Sequence, residues 1–200
     1  MELFFLVIMI LTSIVGLTFI VERGLALRWN RVIPPSIETA AEACRTAADR
    51  PVLRRVCEQS SSPLGRLLLN AEQQLDLSKE ENENVLQTRA RQETIRLERG
   101  LVVLEIVVGI APLLGLVGTI YGMMTLFGGL GESGLGDNAV LAKGISLILR
   151  FTMMGLLIAI PSLIAWSYYS KKVEMLAVEM ESVCAEFLRR QYHESVEVEQ

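Results

Sequence analysis

The stretch GISLILRFTMMGLLIAIPSL, residues 144–163, is apolar throughout except for one full charge, Arg150. About 20 mainly apolar residues suffice to cross ~30 Å of hydrocarbon. An arginine at the centre of a span costs roughly 2.5–3.5 kcal/mol on insertion scales. The stretch therefore reads as a membrane span that keeps a charge for a reason. Two other runs share its character. Residues 3–21 and residues 106–131 hold no charged side chain, and residues 144–170 hold only Arg150. With 51% hydrophobic residues and a mean hydropathy of +0.40, the chain reads as an all-α membrane protein. It is expected to have three transmembrane helices with long cytoplasmic helical extensions, drawn from the charged residues 23–100 and 171–200.

Several classes are set aside by what the residues do not form. The net charge of −4 is small, and no basic patch is interleaved with aromatics, so no nucleic-acid partner is expected. Cys44, Cys57 and Cys184 are scattered and make no CxxC pair, so neither a disulfide nor a metal site is expected, and no cofactor. The single histidine, His193, sits in a charged tail and reads as solvated. No nucleophile–base set and no phosphate loop is present, so the chain is not expected to be an enzyme.

Charge placement gives a topology. Glu2 precedes the first apolar run, while Arg23, Arg28 and Arg31 follow it. That order is the reverse of a cleavable signal peptide. It fits a retained anchor, residues 1–22, with its N-terminus outside and its C-terminus in the cytoplasm. Residues 23–100 are then cytoplasmic, broken into short pieces by Pro34-Pro35, Pro51 and the run SSSP ending at Pro63. Ser78 with Glu81 has capping-box spacing. A helix from there meets no breaker before Gly100 and is expected to continue into the second span, residues 101–130. The loop 131–139 carries Glu132 and Asp137 but no Lys or Arg, and lies outside. The third span, residues 140–170, is followed at once by Lys171-Lys172. The tail, residues 171–200, has apolar side chains at Val173, Leu176, Met180, Val183, Cys184 and Phe187, the spacing of an amphipathic helix. That helix is expected to continue the third span and to pack on the helix over residues 78–100, a free amphipathic tail being the other reading.

Small residues mark how the spans pack. In APLLGLVGTIYGMMTLF, residues 111–127, Pro112, Gly115, Thr119, Gly122 and Leu126 fall in one sector, and Gly118 with Gly122 forms a GxxxG. The third span has Thr152, Gly155 and Ala159 on a similar stripe. Small residues let membrane helices approach closely. Pro112 and Pro161 require neighbours that satisfy the carbonyls they free. Two readings of Thr119 and Thr152 stand at this point. Their hydroxyls bond to the preceding turn, or they line a polar route and order water without carrying charge.

The pair APLLGLVGTIYGMM and KGISLILRFTMMGLLIAIPSLIAW resembles the ExbB/TolQ/MotA family of inner-membrane motor proteins, its ExbB/TolQ branch above all. The likeness covers about residues 95–170, and the order of spans and cytoplasmic segments agrees with it. The resemblance implies a pentamer, a helical barrel of five copies in the bacterial inner membrane with the outer side periplasmic. Its second and third spans would line a lumen holding two helices of an ExbD/TolR-like single-span partner that brings a membrane aspartate. Proton passage would then drive envelope work through a TonB- or TolA-like transducer. The resemblance carries pore-lining roles onto Thr119 and Thr152. The chain departs from the pattern at Leu147, where that branch has an acidic residue, and Arg150 stands where an apolar residue is usual. A sodium-coupled motor, as in the MotA branch, or a non-conducting scaffold therefore stays open beside the proton channel.

Three readings of Arg150 also stay open. It snorkels to the outer headgroups, roughly ten residues from the end of the span. It pairs with an acid on the partner helix at the lumen. Or it pairs with lipid phosphate or backbone carbonyls between subunits. On an ideal helix Arg150 lies ~160° from Thr152, so both cannot point at one axis. Glu105 lies ~21 Å before Thr119 along the second span. It is either a gate at the cytoplasmic exit or a surface carboxylate meeting water or an arginine such as Arg99.

Overall fold

The computed structural model describes residues 2–133 and 138–198. Its described residues are almost entirely helical. The helices are α1 (Glu2–Ala26), α2 (Trp29–Val32), α3 (Pro35–Ala43), α4 (Arg50–Gln59), α5 (Pro63–Gln73), α6 (Lys79–Glu98), α7 (Leu101–Ser133) and α8 (Asn138–Val198). The chain divides into two compact units. The first holds residues 1–23 and 100–168, and the second holds residues 24–99 and 169–200.

The first unit is a three-helix bundle of membrane character. α1, α7 and α8 each contain a stretch long and apolar enough to cross a bilayer. Their outward faces are exposed and apolar, for example Leu3, Leu113, Met124, Leu149 and Ile164. This is the reverse of a water-soluble bundle and is what a lipid solvent permits. The inward contacts are made by small residues. Gly16 of α1 seats against Ser162 of α8 and Val107 of α7, and Phe5 stacks on Tyr121 with ring centroids 5.5 Å apart. Pro112 and Pro161 both lie inside continuous helices.

The second unit is a small helical cluster whose punctuation is visible in the sequence. Pro35, Pro51 and Pro63 stand in the first turns of α3, α4 and α5, where a missing N–H costs nothing. Ser62 accepts from the Gly65 N–H, and Ser78 and Glu81 form a complete capping box. The core gathers Leu27, Ile33, Ile37, Leu53, Leu64 and Leu68 against the end of α8, which contributes Val173, Leu176, Met180, Cys184 and Phe187. The expected amphipathic face of the tail is therefore a packed face. Its contact with α6 is made through Asn82, whose amide donates to the Tyr192 hydroxyl at 3.1 Å. Three successive residues of α8 fasten this end. Arg190 donates to the Ala41 and Glu42 carbonyls, Gln191 to the Cys44 carbonyl, and Tyr192 to the Leu77 carbonyl. All three cysteines are buried, and none is in a disulfide among the described residues.

Two expectations are corrected. The helix that begins after Ser78 does not run unbroken into the second span; α6 ends at Glu98 and α7 starts at Leu101. Gly100 lies in the break, and the Arg23 guanidinium occupies the space that a β-carbon would take there. Residues 131–133, expected in the loop, are the last residues of α7, and α8 already starts at Asn138. The remainder of that loop, with Asp137, lies outside the described residues.

Candidate functional site

The site is the seam between α7 and α8, and glycine builds it. A β-carbon at Gly115 would lie 2.9 Å from the Phe151 carbonyl oxygen and 3.2 Å from the Thr152 α-carbon. A β-carbon at Gly155 would lie 2.7 Å from the Ala111 carbonyl oxygen. Gly118 faces the Phe151 ring, Gly122 faces Ile148, and Gly144 faces Leu126. Partners rise along α7 as they fall along α8, so the two helices are antiparallel. Gly115, Gly118, Gly122 and Gly155 lie at the contact between the two helices, and Ala159 is buried. Pro112 is half-buried, and Pro161 is exposed. Because the helices are antiparallel, Thr119 and Thr152, each the next residue along from the Gly118–Phe151 pair, step apart by about 3 Å and lie within one helical turn of each other in depth.

Direction follows from helical rotation. Counted at about 100° per residue from Gly115, Thr119 lies about +40°, Pro112 about +60° and Glu105 about +80°. Val107 and Tyr121, which meet α1, lie about −80° and −120° on the same count. Counted from Gly155 on α8, Thr152 lies about +60°. In an antiparallel pair, equal senses of rotation from the shared seam lead to the same side. Thr119 and Thr152 therefore share the side of the hairpin turned away from α1, and Glu105 and Pro112 fall on it too. Glu105 is exposed.

The hydroxyls differ. Thr119 donates to the Leu116 carbonyl at 2.6 Å, the local bond usual for a membrane threonine, and keeps its acceptor lone pairs free. Thr152 is half-buried and makes no hydrogen bond among the described residues. Arg150 lies about −140° from Gly155, so the structure does not bring it to the threonines. It is exposed on the far face of α8. Leu147 lies in α8, but its side chain is outside the described residues.

Sequence reasoning missed Gly16 and Ser162. Ser162 is 2% exposed and donates to the Ile158 carbonyl, while Gly16 sits against its hydroxyl. A small residue in the middle of an otherwise bulky first span was the available signal. Among the described residues no cluster of His, Cys, Asp and Glu could hold a metal.

The chain matches the MotA/TolQ/ExbB proton channel family over residues 59–182. It is similar to the biopolymer transport protein ExbB of Helicobacter pylori, with 38% identity over 81 residues, 40% of this chain and 56% of that one. The biopolymer transport protein ExbB of Salmonella typhimurium is 30% identical over 139 residues, 64% of this chain and 57% of that one. The Tol-Pal system protein TolQ of Pseudomonas aeruginosa is 37% identical over 103 residues, 50% of this chain and 45% of that one. The chain thus spans about half the length of each of these relatives.

Proposed function

The chain belongs to the MotA/TolQ/ExbB proton channel family, and from that premise we propose that it is the channel subunit of an ion-driven motor in the bacterial inner membrane. Protons are the first candidate for the ion. Five copies surround two helices of an ExbD/TolR-like single-span partner, and the partner's membrane aspartate carries the ion. The work driven is envelope work, of the biopolymer-transport or Tol-Pal kind that its relatives are named for, passed to a TonB- or TolA-like transducer. The N-terminus is outside and the C-terminus in the cytoplasm, as the Arg-rich residues 22–100 and Lys171-Lys172 favour.

The observation that supports this reading best is the shared side of Thr119 and Thr152 on the α7–α8 hairpin, within one helical turn of each other in depth. Two hydroxyls so placed, repeated around a ring of copies, form a polar collar that can order water. Glu105, on the same side and nearer Arg99, is the proposed cytoplasmic gate. Leu147 favours a second reading. With no acid there, the chain supplies no titrating relay of its own, as expected of a sodium-coupled motor or a scaffold that does not conduct.

Reconstitution into liposomes with the partner tests the assignment. Ion flux that follows a proton gradient and is lost in Thr152→Val supports the channel. Flux untouched by Thr152→Val removes the threonine collar from the path. No flux of proton or sodium in the unaltered complex selects the scaffold.

A further inference from the structure

Arg150 is the charge that the threonine side of the hairpin leaves unexplained. It makes no ion pair among the described residues. It lies in a groove of ≈ 540 Å³ on the exposed face of α8, with Ala142, Ile145, Ser146, Leu149 and Met153. Among its described lining residues, the groove is apolar apart from the Arg150 guanidinium and the Ser146 hydroxyl one turn nearer the N-terminus of α8.

Two independent markers set the depth of this groove. Trp166, Tyr168 and Tyr169, followed by Lys171 and Lys172, place one headgroup level on α8. Counting back ~30 Å of hydrocarbon, about twenty residues, reaches Ser146 as the other boundary. Arg150 then lies about 6 Å inside it. The second marker is the bundle itself. Gly122 meets Ile148, its neighbour Tyr121 stacks on Phe5, and α1 begins at Glu2, one turn beyond Phe5. The apolar part of α1 thus ends about one turn past the Arg150 level.

Direction agrees with depth. Helical side chains lean toward the helix N-terminus. The N-terminus of α8 is at the α7–α8 loop, the nearer surface, so the guanidinium leans up past Ser146 toward the headgroups. Arginine is a bidentate phosphate ligand, and its stem can lie along apolar surface while its head reaches the interface.

We infer that Arg150 and Ser146 form a lipid site: the guanidinium and hydroxyl hold the phosphodiester of a phospholipid in the leaflet on the loop side, and Ile145, Leu149 and Met153 receive its acyl chain. Positive charge on an otherwise apolar groove fits an anionic headgroup. The lipid removes the cost of an unpaired charge in the span.

The full chain, placed in nanodiscs of phosphatidylglycerol and phosphatidylcholine and analysed by native mass spectrometry, tests this. The unaltered chain is expected to retain phosphatidylglycerol about tenfold more than Arg150→Leu, the loss of one charge-assisted bidentate contact. Arg150→Leu is compatible with insertion, because leucine is favoured on a lipid face. Arg150→Lys, which keeps the charge without the bidentate fork, is expected to keep part of the retention, Ser146→Ala to lower it in part, and Arg189→Gln to leave it unchanged. Equal retention by the unaltered chain and Arg150→Leu overturns the proposal. So does carbodiimide coupling of Arg150→Lys to a carboxylate of another chain, which assigns the groove to a protein acid.

Discussion

Gly155 has no room for a side chain. A β-carbon there would lie 2.7 Å from a backbone oxygen of α7, and backbone cannot rotate aside as a side-chain tip can. Gly109, on the same hairpin, has nothing within 4 Å of its β-carbon position. Gly155→Ala is therefore expected to push α7 and α8 apart at a cost of about 1–3 kcal/mol, while Gly109→Ala is neutral. Unfolding curves of the two variants in mixed micelles separate them, and equal midpoints would show that the seam is loose. Cys57 makes a second case. Burial pushes its thiol up from 9.0 to about 11, with the Glu72 charge adding to the effect. The folded chain thus favours the neutral thiol. The stabilisation is complete below the unfolded value near 9.0 and is lost as pH rises through about 11. At pH 8 an alkylating reagent is expected to label Cys57 in denatured chain and leave it unlabelled in folded chain. Fast labelling of the folded chain would place the thiol at the surface.

Among the elements, those whose punctuation is local were legible in the sequence. Prolines opened α3, α4 and α5, Ser78 and Glu81 capped α6, and the spacing from Val173 to Phe187 marked the buried face of α8. The contact at the Gly100 break was not legible, because the guanidinium that fills the space there comes from Arg23 on α1, distant in sequence. The same is true of the fastening at the end of α8, where Arg190, Gln191 and Tyr192 read as ordinary tail residues until the carbonyls of Ala41, Cys44 and Leu77 are brought to them. Asn82 holds this junction. It is 1% exposed, and its amide donates to the Ala71 and Gln74 carbonyls as well as to Tyr192. Asn82→Leu takes one hydrogen bond from each of those carbonyls, leaving them the backbone donors of Gln74 and Leu77, and is expected to destabilise the second unit by about 1–3 kcal/mol. Tyr192→Phe keeps both carbonyls bonded to Asn82 and is expected to cost less. Hydrogen exchange over α5 and α6 reads the difference, and equal exchange in the two variants would assign the junction to apolar packing alone.

At the scale of the whole molecule, the three spans and the threonine stripes were readable from composition and rotation, but the closeness in depth of Thr119 and Thr152, within one turn, was not. It depends on the pairing of Gly118 with Phe151 across the hairpin, which no single helix encodes. Leu147 gives this arrangement a measurable consequence. On the proposed function, the titratable group in the path belongs to the partner, because α8 offers leucine where an acid would sit. Proton flux through the reconstituted complex should then follow a single ionisation as pH is varied. On the resemblance, which gives residue 147 to the path, Leu147→Glu would add a second carboxylate there, one turn before Arg150 on the helix. Two carboxylates that sense each other titrate in separated steps. The variant is therefore expected to show a flux–pH profile with two steps, the upper one raised by burial and by the first negative charge. A profile with two steps in the unaltered complex would mean that another acid of this chain titrates in the path, and Glu105→Gln identifies it if the second step then disappears. A single step that Leu147→Glu leaves unmoved would place residue 147 outside the path.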